Sequence, residues 1–236
     1  MLNAEFEGVK EIYKTNTIKV PSPIVFGNTD YGAFIILEKL NFGGYSDGEL
    51  YGKKLASMHK CYNPNGKYGW KINNTIGATL QPNNECDTWA EFWDKYRLGH
   101  MLDLCKRDGA EFGKKETQVR DKVISILEKH KFEGPSLVHG DLWSGNQATL
   151  SNGEPVIFDP AIYYGDPEVD IAMTFLFGAN GKKFYESYYN EMGGQKEGFE
   201  IRQTIYNLYH ILNHYVLFGG GYLQQSYNMI DKILSW

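Results

Sequence analysis

The chain has 236 residues, which is enough for one or two compact domains at about 150 residues per domain. Hydrophobic residues make up 42% of it and charged residues 22%, which excludes the apolar-poor, highly charged composition of disordered chains. The net charge of −5 argues against nucleic acid or a membrane surface as a partner, and no apolar run reaches the roughly 18 residues of a membrane-spanning helix. The three cysteines are widely spaced and predict no zinc or disulfide framework, so we expect a reducing cytoplasm.

The first forty residues predict one helix followed by strands. Apolar residues recur at helical spacing between residues 3 and 14, which indicates an amphipathic helix. Three short β-branched or apolar runs follow, and each is typical of a strand. They lie at residues 17–20, 24–26 and 33–38. Residues 41–44, Asn-Phe-Gly-Gly, are predicted to form a hinge-like linker.

After residue 44 the pattern becomes helical, apart from one β-rich insert at 136–159. Two segments, 46–49 and 88–91, have the Ser/Thr-x-x-Glu spacing of a capping box and predict helix starts, the second helix running to about residue 106. A helix should end near residue 130, and four more follow the insert, near residues 167–178, 182–192, 198–218 and 224–235. The fold class is therefore α+β, a small mixed segment followed by a larger helical part that contains a β-hairpin.

The β-rich insert carries the residues best suited to chemistry. Its first strand leads into His139-Gly-Asp141 and then Asn146, and its second strand ends at Asp159. Phosphotransferases use this layout: an aspartate accepts the proton of the substrate hydroxyl, an asparagine five residues later binds Mg²⁺, and a second strand ends in a metal-binding aspartate. A carboxylate and an amide carbonyl are the hard oxygen ligands that Mg²⁺ prefers.

Three longer segments extend this pattern: HGDLWSGN at 139–146, EPVIFDPA at 154–161 and LYHILNH at 208–214. They resemble the fructosamine 3-kinase (ketosamine 3-kinase) family, within the aminoglycoside-phosphotransferase-like, protein-kinase-like fold. The motifs HGD at 139–141 and FDP at 158–160 indicate only the broad superfamily. The Leu-Trp pair at 142–143 and the YH-LNH block at 209–214 make the resemblance specific to the ketosamine kinases. The resemblance covers essentially the whole chain and implies two lobes, a partial N-lobe of residues 1–40 and a mostly helical C-lobe of residues 41–236.

The resemblance implies ATP and Mg²⁺ as cofactors and a role for each matching residue of the loops. Asp141 would be the catalytic base, and Asn146 and Asp159 would bind Mg²⁺. Asp170 matches an acidic residue that, in this fold, supports the catalytic loop from the interior of the protein.

The nucleotide would lie between the lobes. The resemblance implies that the backbone of Glu38, Lys39 and Leu40 holds adenine, and Glu5 matches a helix glutamate that pairs with a phosphate-binding lysine. In the family a glycine-bearing hairpin and the strand with that lysine precede the Glu5 helix, and this sequence begins after both. We therefore expect a truncated N-lobe sheet, weak nucleotide binding, poor phosphoryl transfer and an exposed Glu5 carboxylate.

The sugar side of the site would be lined by Trp143, His210 and His214, which also follow from the resemblance. The two histidines are four residues apart, a spacing that zinc pairs share, but no glutamate follows His210, so a polar lining or a core position is favoured over a metal.

The implied activity is transfer of the ATP γ-phosphate to the 3-hydroxyl of a fructosamine or ribulosamine, free or on protein amines, which destabilises the adduct and releases the amine. Its partners would be ketosamine substrates, with neither nucleic acid nor membrane. Two alternatives stay open. One is a kinase for an aminoglycoside, choline or similar alcohol, which the Leu-Trp and YH-LNH segments disfavour. The other is a catalytically impaired protein that binds nucleotide or sugar.

Overall fold

The computed structural model describes the whole chain, residues 1–236, as helices and short antiparallel strand pairs. No helix is both long enough and apolar enough to cross a membrane. The nine α-helices are α1 Leu2–Thr15, α2 Gly48–His59, α3 Trp89–Trp93, α4 Gly99–Arg107, α5 Lys115–Lys129, α6 Glu168–Thr174, α7 Lys182–Glu191, α8 Phe199–Phe218 and α9 Tyr222–Ser235. The eight strands are β1 Pro23–Thr29, β2 Gly32–Leu37, β3 Asn74–Ile76, β4 Thr79–Gln81, β5 Ser136–Val138, β6 Gln147–Thr149, β7 Pro155–Ile157 and β8 Tyr163–Gly165.

The N-terminal segment is one helix packed beside one hairpin. α1 buries Val9 and Ile12, and its Phe6 ring lies 6.3 Å from the ring of Phe26 on β1. β1 and β2 pair in antiparallel register and form a sheet of two strands only. The predicted helix and the second and third predicted strands are thus confirmed.

The strand predicted at residues 17–20 is wrong. This segment makes one parallel bridge to β7, in which the amide of Ile157 donates to the carbonyl of Lys19 at 3.0 Å. Ile18 and Val20 are buried in the same core as the helices. The apolar run therefore marks an extended connection fixed to β7, because burial produces the same short pattern as a sheet strand.

The pairing predicted for the β-rich insert is also wrong. β5 pairs with β8, and β6 pairs with β7, each in antiparallel register. The residues between β5 and β6 form the loop with Asp141 and a short 3₁₀ turn at Ser144–Asn146, so β7 meets the nearer strand β6 across a tight turn. As a result, Asp141 follows β5 and Asp159 follows β7, and the two loops become neighbours.

Two helix starts were predicted from capping boxes, and one of them is corrected. Thr88 begins α3 as predicted, and its hydroxyl accepts a hydrogen bond from the amide of Glu91 at 3.2 Å. At α2 the cap is Asp47, whose carboxylate accepts the amides of Glu49 and Leu50 at 3.0 and 3.2 Å. Aspartate caps as well as serine does, so local sequence alone does not choose between neighbouring caps.

The helix predicted from residue 88 to about 106 is divided into α3, a π-helical turn at Asp94–Leu98 and α4. The four helices predicted after the insert are confirmed as α6 to α9. Of these, α8 is buried along most of its 20 residues and lies between α4, α6 and α9. It forms the centre of the core and carries the predicted sugar-side histidines.

Candidate active site

The loop that follows β5 is held from below by one buried carboxylate. Asp170 of α6 accepts the backbone amides of His139 at 2.7 Å and Gly140 at 2.8 Å, which confirms its predicted bracing role. Gly140 has φ +81°, and a Cβ there would lie 2.2 Å from the carbonyl oxygen of Ala161. Only glycine fits at this position, because a side chain would meet backbone that cannot give way.

Two residues that the sequence did not reveal complete this support. His59 of α2 places Nε2 3.0 Å from Asp170 and Nδ1 2.7 Å from the hydroxyl of Tyr188. Burial alone would raise the pKa of Asp170, but hydrogen bonds from His59 and the loop amides leave it below its usual value. Asp170 is therefore a charged acceptor for the loop. No local signal marks His59, which lies 111 residues away from Asp170.

Asp141 lies in the braced loop, with its side chain only 21% exposed. The amide nitrogen of Asn146 donates to the Asp141 carbonyl at 2.9 Å and to its carboxylate at 3.3 Å. Burial, together with the nearby charges of Asp159 and Asp170, raises the pKa of Asp141 to about 7. A carboxylate with such a pKa can accept a proton at neutral pH far more readily than an ordinary aspartate.

Asp159 and Asp141 line the same cleft, which has a volume of about 580 Å³. The φ of +56° at Asp159 is one of only two positive values at non-glycine residues in the chain, a backbone state that usually needs compensation by the surroundings. Its carbonyl lies 3.4 Å from the amide nitrogen of Asn146. The structure therefore brings together the three residues that were predicted for base and metal.

This set of donors fits Mg²⁺. The Asn146 nitrogen faces Asp141, which leaves its amide oxygen available for a cation, and the Asp159 carboxylate lines the same cleft. Hard oxygen donors of this kind suit Mg²⁺, and an excess of carboxylates favours a divalent cation among them.

Glu5 lies in the same cleft, contrary to the expectation that it is exposed. It is half-buried, and burial together with the charge of Asp159 raises its pKa. The helix α1 that carries it buries its apolar face against the rest of the chain, and this packing brings Glu5 to the cleft. The cleft thus collects three carboxylates, and neither lysine nor arginine lines it.

Comparison of the sequence with known proteins shows the family to which the chain belongs. The fructosamine kinase family model matches residues 1–236. The chain is 45% identical over 236 residues to a Synechocystis protein assigned as a ketoamine kinase, with 99% of this chain and 79% of that protein covered. The chain belongs to the fructosamine kinase family.

Other relatives agree with this membership. A rice protein-ribulosamine 3-kinase, named as chloroplastic, is 43% identical over 242 residues, covering 99% of this chain and 69% of that protein. A Haemophilus somnus crystal structure assigned as a fructosamine-3-kinase superposes with a TM-score of 0.90 at 33% identity, covering 99% and 79% of the two chains. An aminoglycoside phosphotransferase has a TM-score of 0.63 at 14% identity, covering 98% and 83%, a likeness that shows the protein-kinase-like fold alone.

In this fructosamine kinase family member the predicted hinge follows β2. The Glu38 carboxylate is bound by Lys19 at 2.6 Å and by the amide and hydroxyl of Ser22, both at 2.9 Å, and these bonds lower its pKa to about 2. The Glu38 amide donates to the Ser22 carbonyl, so neither group is directed to a nucleotide. The amides of Lys39 and Leu40 make no hydrogen bond within the chain, and they are the donors that adenine could use.

Two of the predicted sugar-side residues, His210 and His214, lie on α8. His210 is buried, its Nδ1 is 4.0 Å from the Asp141 carboxylate, and burial lowers its pKa to about 3. His214 donates from Nδ1 to the carbonyl of His210, 2.7 Å away. The His210 ring is therefore neutral and the His214 ring is oriented, as polar lining groups should be.

An aromatic wall extends from these histidines, and the sequence analysis missed most of it. Phe177 lies 6.5 Å from Trp143 and 4.8 Å from His214, measured between ring centroids. Phe218 and Tyr222 lie 5.5 and 5.1 Å from His214. The aromatic wall consists of Trp143, Phe177, His214, Phe218 and Tyr222. Three of its members had a signal in the sequence, because residues 214, 218 and 222 continue a four-residue spacing that begins at residue 210.

Proposed function

We propose that this fructosamine kinase family member transfers the γ-phosphoryl group of ATP to a hydroxyl of a ketosamine, a fructosamine or ribulosamine adduct, free or on protein amines. The observation that carries the proposal is the position of Asp141, whose pKa is raised to about 7 in a loop held by Asp170 beside Asp159. The names of the Synechocystis and rice relatives support the class of acceptor.

We assign the nucleotide side to two groups of residues. The amides of Lys39 and Leu40 would bind adenine, and the oxygens of Asn146 and Asp159 would hold Mg²⁺. Bound Mg²⁺·ATP supplies the transferable phosphoryl group and neutralises its charge. A cation beside Asp141 also favours the charged form of its carboxylate, so Asp141 is ready to accept the proton of the acceptor hydroxyl.

On the acceptor side, the Asp141 carboxylate lies 4.0 Å from Nδ1 of His210. His210 is neutral beside it and does not neutralise Asp141 by forming an ion pair. Trp143, 38% exposed, offers a flat face on which a sugar ring can stack. Together these groups would orient one sugar hydroxyl toward Asp141 and exclude bulk water.

The test is a panel of acceptors assayed with Mg²⁺·ATP, measuring ADP release and the phosphorylated product by mass. We expect phosphorylation of fructosyl-lysine or ribosyl-lysine adducts and none of unmodified lysine, choline or kanamycin. Asp141→Asn removes the base and should lower kcat by about 10²- to 10⁴-fold while changing Mg²⁺·ATP affinity only a few-fold. Preferred phosphorylation of kanamycin or choline, or full turnover by Asp141→Asn, would reject the proposal.

A second candidate function is nucleotide or sugar binding with impaired transfer. It is favoured by one observation, the absence of lysine and arginine from the lining of the cleft. The acceptor panel separates the two, because an impaired protein would bind ketosamine and nucleotide in titrations without releasing ADP. The cytoplasmic location stays a prediction, and the three cysteines are unpaired, as a reducing compartment would keep them.

A further inference from the structure

A second cluster of ionisable side chains lies away from the candidate active site. His130 follows α5, and Asp166 and Glu168 stand at the start of α6. One ligating atom from each of the three lies within 4.8 Å of the others, and all three side chains are buried. The cluster lines a cleft of about 470 Å³ that shares no residue with the cleft around Asp141.

The ring nitrogen of His130 has an unusual environment. Its Nε2 is 3.0 Å from a carboxylate oxygen of Asp166 and 3.7 Å from one of Glu168. It nevertheless makes no hydrogen bond, although its side chain is only 3% exposed. Nε2 is therefore not aligned with the Asp166 oxygen as a hydrogen bond requires, and a buried polar atom without an aligned hydrogen bond is costly.

The 3.0 Å separation suits either a hydrogen bond or the edge of a coordination shell, and the missing hydrogen-bond alignment at Nε2 favours the second. With metal bonds of about 2.1 Å, two ligands of one ion are separated by about 3.0 Å in octahedral and about 3.4 Å in tetrahedral geometry. Adjacent ligands point at the ion and not at each other. This is the relation that His130 Nε2 has with the two carboxylates.

The net charge of the cluster is compatible with a bound cation. Glu168 receives two hydrogen bonds from Arg202, at 2.6 and 2.9 Å, which fix its carboxylate. Asp166 accepts from the hydroxyl of Tyr206 and from the amide of Glu168. Apart from His130, the two carboxylates and the guanidinium of Arg202 sum to −1. Tyr206 and Arg202 thus donate hydrogen bonds to the two carboxylates, as the outer partners that orient metal ligands typically do.

The adjoining cleft gives access from the surface. Tyr62, Phe132 and Met192 line it, with Glu133 and Lys196 at its polar part. The buried hydroxyl of Tyr189, which also lines it, has no hydrogen-bond partner. An ion bound by three side chains would complete its shell with water from this cleft, and that water could bond the Tyr189 hydroxyl.

We propose that His130, Asp166 and Glu168 bind a divalent transition-metal ion of the Zn²⁺ class. One imidazole and two carboxylates form a mixed nitrogen and oxygen donor set. Such a set suits Zn²⁺ better than it suits Mg²⁺, which prefers oxygen ligands alone. The ion joins the end of α5 to the start of α6, one turn before the loop-bracing Asp170. The inference does not depend on the proposed kinase activity.

The test uses the full 236-residue chain, stripped with chelator and kept in excess Mg²⁺ so that the cleft around Asp141 is occupied. Zn²⁺ titrated by calorimetry should bind at one strong site and raise the Tm, because a ligand that binds only the folded state stabilises it. His130→Gln should weaken Zn²⁺ binding by at least about tenfold and reduce the Tm shift accordingly. His100→Gln is the control, since the hydrogen bond of the His100 ring goes to the Leu80 carbonyl and not to the cluster, so its loss should change neither value.

Two further measurements keep the test decisive. Glu168→Gln keeps the shape of that side chain and should also weaken Zn²⁺ binding, and the histidine ¹⁵N spectrum of the wild type should show the His130 resonance shifting on addition of Zn²⁺. Equal Zn²⁺ affinity in wild type and His130→Gln, no strong binding at all, or an unshifted imidazolium at His130 would overturn the proposal. The last outcome would mean that His130 simply carries a proton between the two carboxylates.

Discussion

At the scale of single residues, the protonation of Asp141 is the property that most affects the site. The pKa of this carboxyl is raised to about 7 by burial and by the charges of Asp159 and Asp170. Without a cation, part of the protein therefore carries a protonated Asp141 at neutral pH. The environment that raises the pKa of Asp141 also lowers the free energy of unfolding when this carboxyl is ionised.

This coupling predicts that Asp141→Asn stabilises the protein at pH 8 more than at pH 5. The pKa of Asp141 rises from 3.8 to about 7 on folding, so between these values the folded state binds a proton that the unfolded state has released. Stability then falls as pH rises through this window, and asparagine removes the effect. Tm values measured without Mg²⁺ or nucleotide at both pH values check it.

The control for this experiment is Asp103→Asn, because Asp103 is exposed and pairs only with Lys106. Its effect on Tm should be small and nearly the same at pH 5 and pH 8. A gain for Asp141→Asn that does not grow with pH would show that the pKa of Asp141 is not raised in the folded protein.

A second residue-scale prediction concerns the metal ligand that ends β7. Asp159→Ala removes a hard oxygen ligand, so ATP affinity should no longer depend on Mg²⁺, whereas the wild type should bind ATP more tightly with Mg²⁺. Nucleotide titrations with and without Mg²⁺ measure this. Asp87→Ala, at an exposed carboxylate that pairs with Lys67, should behave as wild type. Unchanged Mg²⁺ dependence in Asp159→Ala would remove Asp159 from the metal site.

At the scale of elements, the active-site loop depends on contacts between helices that are distant in sequence. α2 contributes His59, α6 contributes Asp170 and α7 contributes Tyr188, and together they hold the amides of the loop after β5. The loop is short and has no regular structure of its own, so its geometry follows from these helices.

His59→Leu should therefore destabilise the protein and slow the reaction. Removing one hydrogen-bond partner of a buried carboxylate costs about 1–3 kcal/mol, and Asp170 would then hold the loop less firmly, which should lower kcat by about tenfold with little change in the ketosamine KM. Urea unfolding and steady-state kinetics measure the two effects. His59→Gln keeps an amide donor toward Asp170 and should lose less of both. Equal effects of the two substitutions would contradict a role through this hydrogen bond.

At the scale of the whole molecule, the cleft is acidic. Glu5, Asp141 and Asp159 line it, and none of its lining side chains is basic, although the transfer of a phosphoryl group needs positive charge at the phosphates. Mg²⁺ supplies part of that charge. Lys39 at the hinge is exposed and is not among the lining residues.

We therefore expect slow phosphoryl transfer from the 236-residue polypeptide assayed alone, with weak nucleotide binding retained. A fusion that adds a glycine hairpin and a lysine-bearing strand before α1 should raise kcat/KM for the ketosamine, because the lysine could pair with Glu5 and contact the phosphates. The matched control is the same fusion with that lysine changed to Met. Fast turnover by the 236-residue chain would show that another basic group serves the phosphates.

The sequence by itself determined the features that depend on neighbours in the chain. The spacing of Asp141 and Asn146 lies within one loop, and the apolar periodicity of α1 and α6 to α9 is a property of each segment, so both could be predicted before any packing was known. The family also followed from contiguous motifs, and the fructosamine kinase family model confirms it over residues 1–236.

Only the tertiary structure decided which segments meet. β5 pairs with β8 and not with β7, Glu5 is brought beside Asp159, and His59 reaches Asp170 from 111 residues away. The same holds for His130 and the carboxylates at the start of α6. Short apolar runs and single polar residues have no preferred distant partner, and their contacts are selected by the burial of whole faces of helices and strands against one another.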